Sequence, residues 1–267
     1  MDALTLALFG CLATAFVCWL VSVLTHEYSW VDRLWSITPP LYVGFFAWSA
    51  GGFDARLAIM TALSALWGAR LTFNFARKGG YAKGGEDYRW AELRTRMSAA
   101  QFQVFNVVFV ALFQHVLLLA IALPAWVALE HHGAPLGPLD AVATVLFLAL
   151  LAFETLADEQ QWRFQNAKKA ARARGETVAS GFLTTGLFRF SRHPNFFCEQ
   201  SMWWVFYLFG VAAGGAPVHW TLAGAVVLSG LFHGSTNFTE ELSIRKYPEY
   251  PDYQRTTSRL LPLPPRA

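Results

Sequence analysis

Asn195 and Glu199 stand four residues apart, directly after Arg192-His193-Pro194, in the run Gly186-Leu-Phe-Arg-Phe-Ser-Arg-His-Pro-Asn-Phe-Phe-Cys-Glu199. Pro194 suits the first position of a helix, and Ser191 or His193 can cap it. Such a start presents free backbone N–H groups and the positive end of the helix dipole, here beside Arg189 and Arg192. That combination attracts a phosphate or a carboxylate. Two further polar stripes recur at helical spacing. Arg70, Asn74 and Arg77 fall at i, i+4 and i+7, and Glu154, Asp158, Gln161 and Gln165 share a face in the same way.

These residues matter because of where they sit. Of the 267 residues, 55% are hydrophobic, 16% aromatic and 15% charged. Soluble domains carry about 25% charged residues, so this chain lacks a normal water-facing surface. Intrinsic disorder, a collagen-like fibre, a coiled coil and a basic nucleic-acid binder are all excluded. A polytopic all-α membrane protein remains, with membrane lipids as obligatory neighbours. A spanning helix needs roughly 20 apolar residues, and about seven segments qualify: 4–24, 34–50, 56–75, 102–126, 138–157, 194–213 and 218–232. A tail, 233–267, follows, and the whole reads as one integral membrane domain. The first run is longer than a signal-peptide core and has no basic stretch before it, so it reads as a retained helix.

Charge orients the bundle. Eighteen of the 21 Lys and Arg fall between spans three and four, between spans five and six, or in the tail. The loops on the other side, Glu130 to Leu139 and Gly214 to Pro217, have none. By the positive-inside rule the N-terminus is outside and the C-terminus cytoplasmic. Ionisable groups inside a span cost a few kcal/mol and ordinarily face a partner or a wet cavity. All three stripes lie towards the cytoplasmic ends of their helices, as three walls of one cavity would. Snorkelling or helix-to-helix salt bridges are the competing account for these residues, with most weight for Arg77 and Gln165 close to the membrane surface.

Elsewhere the chemistry is sparser. The segment Phe73 to Arg94 holds two Gly-Gly pairs among cations and aromatics, suited to clamping phosphates or simply to turning the chain. It has neither Gly-x-Gly-x-x-Gly nor Gly-Lys-Ser/Thr, so dinucleotide-fold and P-loop binding are rejected. No metal site is expected, since the seven His are scattered and no ligand spacing occurs. Cys11, Cys18 and Cys198 read as small buried hydrophobes. The tail is dense in Tyr and Pro. With Asn237, Glu240 and Glu241 it can close a cavity from below and contact a ribose or an amide.

Gly186 to Trp204 and Glu240 to Pro264 resemble the steroid 5-alpha-reductase family of membrane enzymes, most closely its bacterial branch. The resemblance covers Asp32 to Pro264. It implies seven helices, NADPH bound from the cytosolic side, and reduction of a carbon–carbon double bond conjugated to a ketone in a steroid-like or other lipid. A bacterial inner membrane is the implied location. By position, Asn195, Glu199 and Asp158 would hold the nucleotide, with Arg77, Tyr81 and Asn237 as further contacts. Gln165, Arg192, His193 and Glu240 complete the expected cofactor set. Asp32, in Tyr28-Ser-Trp-Val-Asp-Arg-Leu-Trp, takes the place of the family's catalytic carboxylate, shortened from Glu. An ion pair with Arg33 is its competing account. Trp67 stands where the family has a tyrosine, and Trp35, Trp67, Arg70 and Asn74 are assigned to the substrate pocket.

Arg-His-Pro at a helix start with a Tyr-Pro tail also resembles the isoprenylcysteine carboxyl methyltransferases. That alternative implies S-adenosylmethionine as cofactor. A transporter is a third class, disfavoured because no stripe crosses the whole membrane.

Overall fold

The computed structural model describes residues 1–177 and 180–266. Two positions of the basic connection Lys168 to Gly181, and the last residue of the tail, lie outside them. The described residues form helices and no strand: α1 (Ala3–Thr25), α2 (Trp30–Trp35), α3 (Thr38–Ser49), α4 (Ala55–Arg77), α5 (Tyr88–Thr95), α6 (Ala99–Phe105), α7 (Gln114–Glu130), α8 (Pro138–Ala173), α9 (Pro194–Ala212), α10 (Ala223–Lys246) and α11 (Tyr250–Thr256). A π-helical stretch, Asn106–Phe113, joins α6 to α7. Three helical runs are long and apolar enough to cross a membrane: Ala3–Thr25, Ala99–Glu130 and Pro138–Ala173. Two of them keep an apolar face exposed, Phe9, Phe16 and Leu24 on α1 and Val145, Phe153 and Leu156 on α8. In water those faces would be costly; lipid suits them.

The chain divides into two compact units, Met1–Thr144 with Val205–Val226, and Val145–Trp204 with Val227–Ala267. In the first, α7 packs against α1, α3 and α4. It is apolar all round and buried along most of its length, as a helix surrounded by others must be. Phe46, Met60, Trp67, Leu118 and Ile121 form its interior. Side-chain caps set several helix starts: Asp2 accepts from the Thr5 N–H, Asp54 from Leu57, and Ser98 forms a capping box with Gln101.

The expected span 34–50 is the main departure. It is two helices, α2 and α3, because Pro39 and Pro40 have no N–H to continue α2 and instead begin α3. With 12 residues, α3 is roughly 18 Å long, short of a bilayer. Two other helices outrun their expected ends. The 36 residues of α8 extend well past residue 157, and α10 continues into the expected tail as far as Lys246.

The second unit has its own core of Phe147, Ala157, Met202, Trp203 and Leu228. Phe182 lies against Tyr247, Tyr250 and Tyr253, with ring centroids 5.6, 4.9 and 5.4 Å away. Lys168 Nζ donates to the Gly181 carbonyl at 2.5 Å and to the Tyr247 hydroxyl at 3.3 Å. The final segment is tied down by its backbone. Arg192 N–H donates to the Ser258 carbonyl, His193 N–H to Arg259, and Leu263 N–H to Phe190, at 2.8, 3.1 and 3.0 Å.

Candidate functional site

Of the expected site residues, Asp32, Trp35, Trp67, Arg70, Asn74, Arg77 and Tyr81 fall in the first unit. Asp158, Gln165, Arg192, His193, Asn195, Glu199, Asn237 and Glu240 fall in the second.

In the first unit Asp32 is half-buried on α2, and its Oδ2 accepts from Trp90 Nε1 at 2.8 Å. Burial raises its pKa above the usual carboxylate range, against the opposing pull of the Trp90 hydrogen bond and the Arg89 charge. The expected competitor, an Asp32–Arg33 pair, does not form. Arg33 donates to Glu27 at 2.7 Å and to the Gly80 carbonyl at 3.2 Å, with its guanidinium 4.4 Å from the Trp30 ring. Trp90 is the partner that sequence reasoning missed. It lies 58 positions from Asp32, on a separate helix, and no local spacing announces it.

The glycine-dotted loop between α4 and α5 is fastened to the same region. Tyr81 donates its hydroxyl hydrogen to the Arg33 carbonyl at 3.1 Å, and its ring meets Phe75 edge-on at 5.1 Å. The Gly84 N–H donates to Glu27 and the Tyr28 N–H to Glu86. Gly79 and Gly84 adopt φ of 85° and 76°, a region that favours glycine. On α4, Arg77 donates to Asn74 Oδ1 at 2.9 Å and lies over the Phe73 ring. Trp67 and Asn74 are buried, while Trp35 and Arg70 are half-buried.

In the second unit the expected residues separate into two groups. The first is the facing polar stripes of α8 and α9. Asn195 Nδ2 donates to Asp158 Oδ1 at 3.4 Å, and Glu154, Asp158 and Glu199 are all buried. Gln161, one turn along from Asp158, has a buried Oε1 that meets no hydrogen-bond donor among the described residues. A buried carbonyl oxygen in that condition is an acceptor awaiting a ligand or a water.

The second group is Arg192, His193 and Glu240. Of the two cations expected beside the start of α9, Arg192 is neutralised by a carboxylate. Arg192 Nε and Nη2 donate to Glu240 Oε1 and Oε2 at 2.7 and 3.0 Å, and Nη1 donates to the carbonyls of Gln254 and Thr257. His193 Nε2 lies 2.9 Å from Glu240 Oε1, and Gln254 donates to Oε2 at 2.7 Å. Burial alone would raise the Glu240 pKa. The hydrogen bonds from His193, Arg192 and Gln254 outweigh it and hold the carboxyl at about 2. Ser191 Oγ accepts from the His193 N–H at 3.2 Å, as a cap would. These residues build the turn that opens α9. Gln165 and Asn237 are exposed and meet neither group.

One open groove, of about 430 Å³, lies in this unit. Arg189 and the hydroxyl-bearing Ser180, Thr184, Thr256 and Thr257 line it, together with Glu249 and Asp252. Asp252 is paired with Arg255 at 2.7 Å. No group of His, Cys, Asp and Glu among the described residues could hold a metal ion.

Comparison with known proteins adds the lineage. The family model described as "protein of unknown function (DUF1295)" matches residues 18–257. An uncharacterised protein of Schizosaccharomyces pombe is 40% identical over 260 residues, covering 92% of this chain and 76% of the relative. No solved structure matches. A fungal relative means that this lineage does not by itself place the chain in a bacterial inner membrane. With a match over most of its length to that family model, the chain belongs to the family described as protein of unknown function DUF1295.

Proposed function

We propose that the chain is a membrane-embedded reductase that uses NADPH to reduce the conjugated double bond of a lipid ketone, with seven membrane-associated helical segments and its cofactor side in the cytoplasm. The observation that carries the reading is the buried α8–α9 face. Asp158, Asn195 and Glu199 lie there with Gln161, whose carbonyl oxygen meets no donor among the described residues. Ribose hydroxyls and a carboxamide NH₂ are donors of the kind this face lacks, so these residues fit the polar parts of a nicotinamide nucleotide. Arg192 is already paired with Glu240, so the reading assigns the phosphates to Arg189, whose groove is lined by serine and threonine hydroxyls and by Glu249 and Asp252.

When bound, NADPH supplies a hydride to the β carbon of the enone, and a solvent proton completes the α carbon. The chain's own residues orient both reactants and stabilise the negative charge that develops on the ketone oxygen. Asp32, with its raised pKa, is the acid the reading assigns to that oxygen. Trp67 stands where the steroid 5-alpha-reductase family has a tyrosine, so no phenol assists Asp32 in this reading.

One observation favours a second reading, an S-adenosylmethionine-dependent methyltransferase. Glu154, Asp158 and Glu199 are three buried acids on one pair of helices, an environment suited to a cationic cofactor. Thermal unfolding of the full chain in mild detergent separates the two. The reductase reading expects stabilisation by NADPH, none by S-adenosylmethionine, and loss of the shift in Asn195→Ala. It also expects enone-dependent NADPH oxidation that Asp32→Asn abolishes. Stabilisation by S-adenosylmethionine alone would sink it.

A further inference from the structure

The Asp32 carboxyl is held from α5. Trp90, buried, donates its indole N–H to Oδ2 at 2.8 Å. An indole nitrogen has a hydrogen to give and no lone pair to offer. Oδ2 is therefore an acceptor whatever the protonation state of the acid, and because the carbonyl oxygen of a carboxylic acid accepts better than its hydroxyl oxygen, a proton taken up by the carboxyl is favoured on Oδ1.

Trp90 is itself fixed. Its ring lies 6.3 Å from Phe105. The start of α5 is capped by Asp87, which accepts from the Arg89 N–H at 2.9 Å and binds the Arg89 guanidinium through both oxygens at 2.9 and 3.0 Å. The Asp87 N–H donates to Ser29 Oγ at 3.0 Å, which ties the start of α5 to the residue before α2. The loop before α5 closes the arrangement, with Glu86 accepting from the Tyr28 N–H at 2.6 Å and paired with Arg94. The charged groups that face Asp32 are thus Arg89, which favours its ionised form, and Asp87, which opposes it. Arg33, its sequence neighbour, is turned away to Glu27.

We infer that Trp90 is a positioning residue: its N–H locks the Asp32 carboxyl in one orientation, so that the acid holds its proton at Oδ1. This rests on the reading of Asp32 as the acid of the reaction. A hydrogen bond donated to a carboxylate stabilises the ionised form. Losing it therefore moves the titration upward and frees the carboxyl to rotate.

The test uses the full chain in mild detergent and needs no substrate. Difference infrared spectroscopy follows the protonated-carboxyl C=O band that disappears in Asp32→Asn. Trp90→Phe keeps an aromatic ring and removes the donor; its midpoint is expected to rise by about one pH unit, with the C=O band moving to higher frequency. A second measurement covers the case in which that variant does not fold. In wild-type chain carrying 15N-labelled indoles, one N–H resonance should follow the same midpoint, and that response should vanish in Asp32→Asn. An unmoved midpoint in folded Trp90→Phe, or the absence of any titrating indole, overturns the inference. Failure of the reductase reading shows separately, in the NADPH-dependent unfolding and turnover of Asp32→Asn.

Discussion

Arg192 and Glu240, 48 positions apart in the chain, form a two-point ion pair at 2.7 and 3.0 Å with both side chains buried. It joins the turn before α9 to the C-terminal part of α10. Through the Gln254 and Thr257 carbonyls it also holds the final segment in place. A pair of charges removed from water contributes little by itself, because desolvation offsets the attraction. Breaking one partner is a different matter, since the other charge is then buried alone.

Glu240→Ala should therefore cost about 3–5 kcal/mol of stability, read by thermal or denaturant unfolding in detergent. The pair also has a pH signature. The folded carboxyl titrates at about 2, below its ordinary 4.5. A lowered folded value means that the stabilisation is full above the ordinary value and is lost as pH falls towards 2. The difference corresponds to about 3 kcal/mol. Wild type and Glu240→Ala should converge in stability between pH 5 and about pH 2; a constant gap across that window would contradict the assignment.

Much of this was legible in the sequence, and the reasons for the rest are physical. Helix existence follows from apolar runs, so all-α character, the positions of α1, α4 and α9 and the start of α8 could be read directly. The break at Pro39-Pro40 was also written there, but hydropathy outweighed it, since Leu34 to Ala50 is apolar across the break. The α8–α9 stripe was readable because i, i+4 spacing is local. The roles of Arg192 and Trp90 were not. A cation before a helix looks like an anion site until its counter-charge is found, and Glu240 lies 48 positions on. Trp90 reaches Asp32 over 58 positions, and Arg33 is steered to Glu27 instead of its neighbour by the way α2 meets the glycine loop.

Arg56 and Asp140 form the comparable pin of the first unit. Arg56 Nε and Nη2 donate to Oδ1 and Oδ2 at 2.7 and 3.0 Å, and the guanidinium also donates to the carbonyls of Ala134, Pro135 and Ala212. Each of Arg56→Met and Asp140→Leu should cost about 3–5 kcal/mol. The double variant removes both charges, so its loss should fall short of the sum of the singles by about 2 kcal/mol. It should not reach wild type, because the three carbonyls lose their donor. Thermal unfolding of the four proteins gives the coupling, and strict additivity would show that the pair is not the stabilising contact.

Gly68 sets how closely α4 approaches the junction of α2 and α3. A Cβ there would lie 2.4 Å from the Ser36 carbonyl oxygen and 2.8 Å from Pro40 Cγ. One turn on, the Ser36 and Thr72 hydroxyls hydrogen-bond at 2.7 Å across the same contact. Two effects oppose each other in Gly68→Ala. Alanine gains about 1 kcal/mol of helix propensity over glycine, while forcing a methyl into a packed contact costs about 1–3 kcal/mol. The clash is with a backbone carbonyl, which cannot rotate aside as a side chain can, so the steric cost wins. Gly10, in α1, is the control, since a Cβ there meets nothing within 4 Å. Gly10→Ala should therefore leave stability unchanged or raise it by up to about 1 kcal/mol, while Gly68→Ala lowers it. Equal melting temperatures for the two variants would mean that the α4 contact is looser than its geometry indicates.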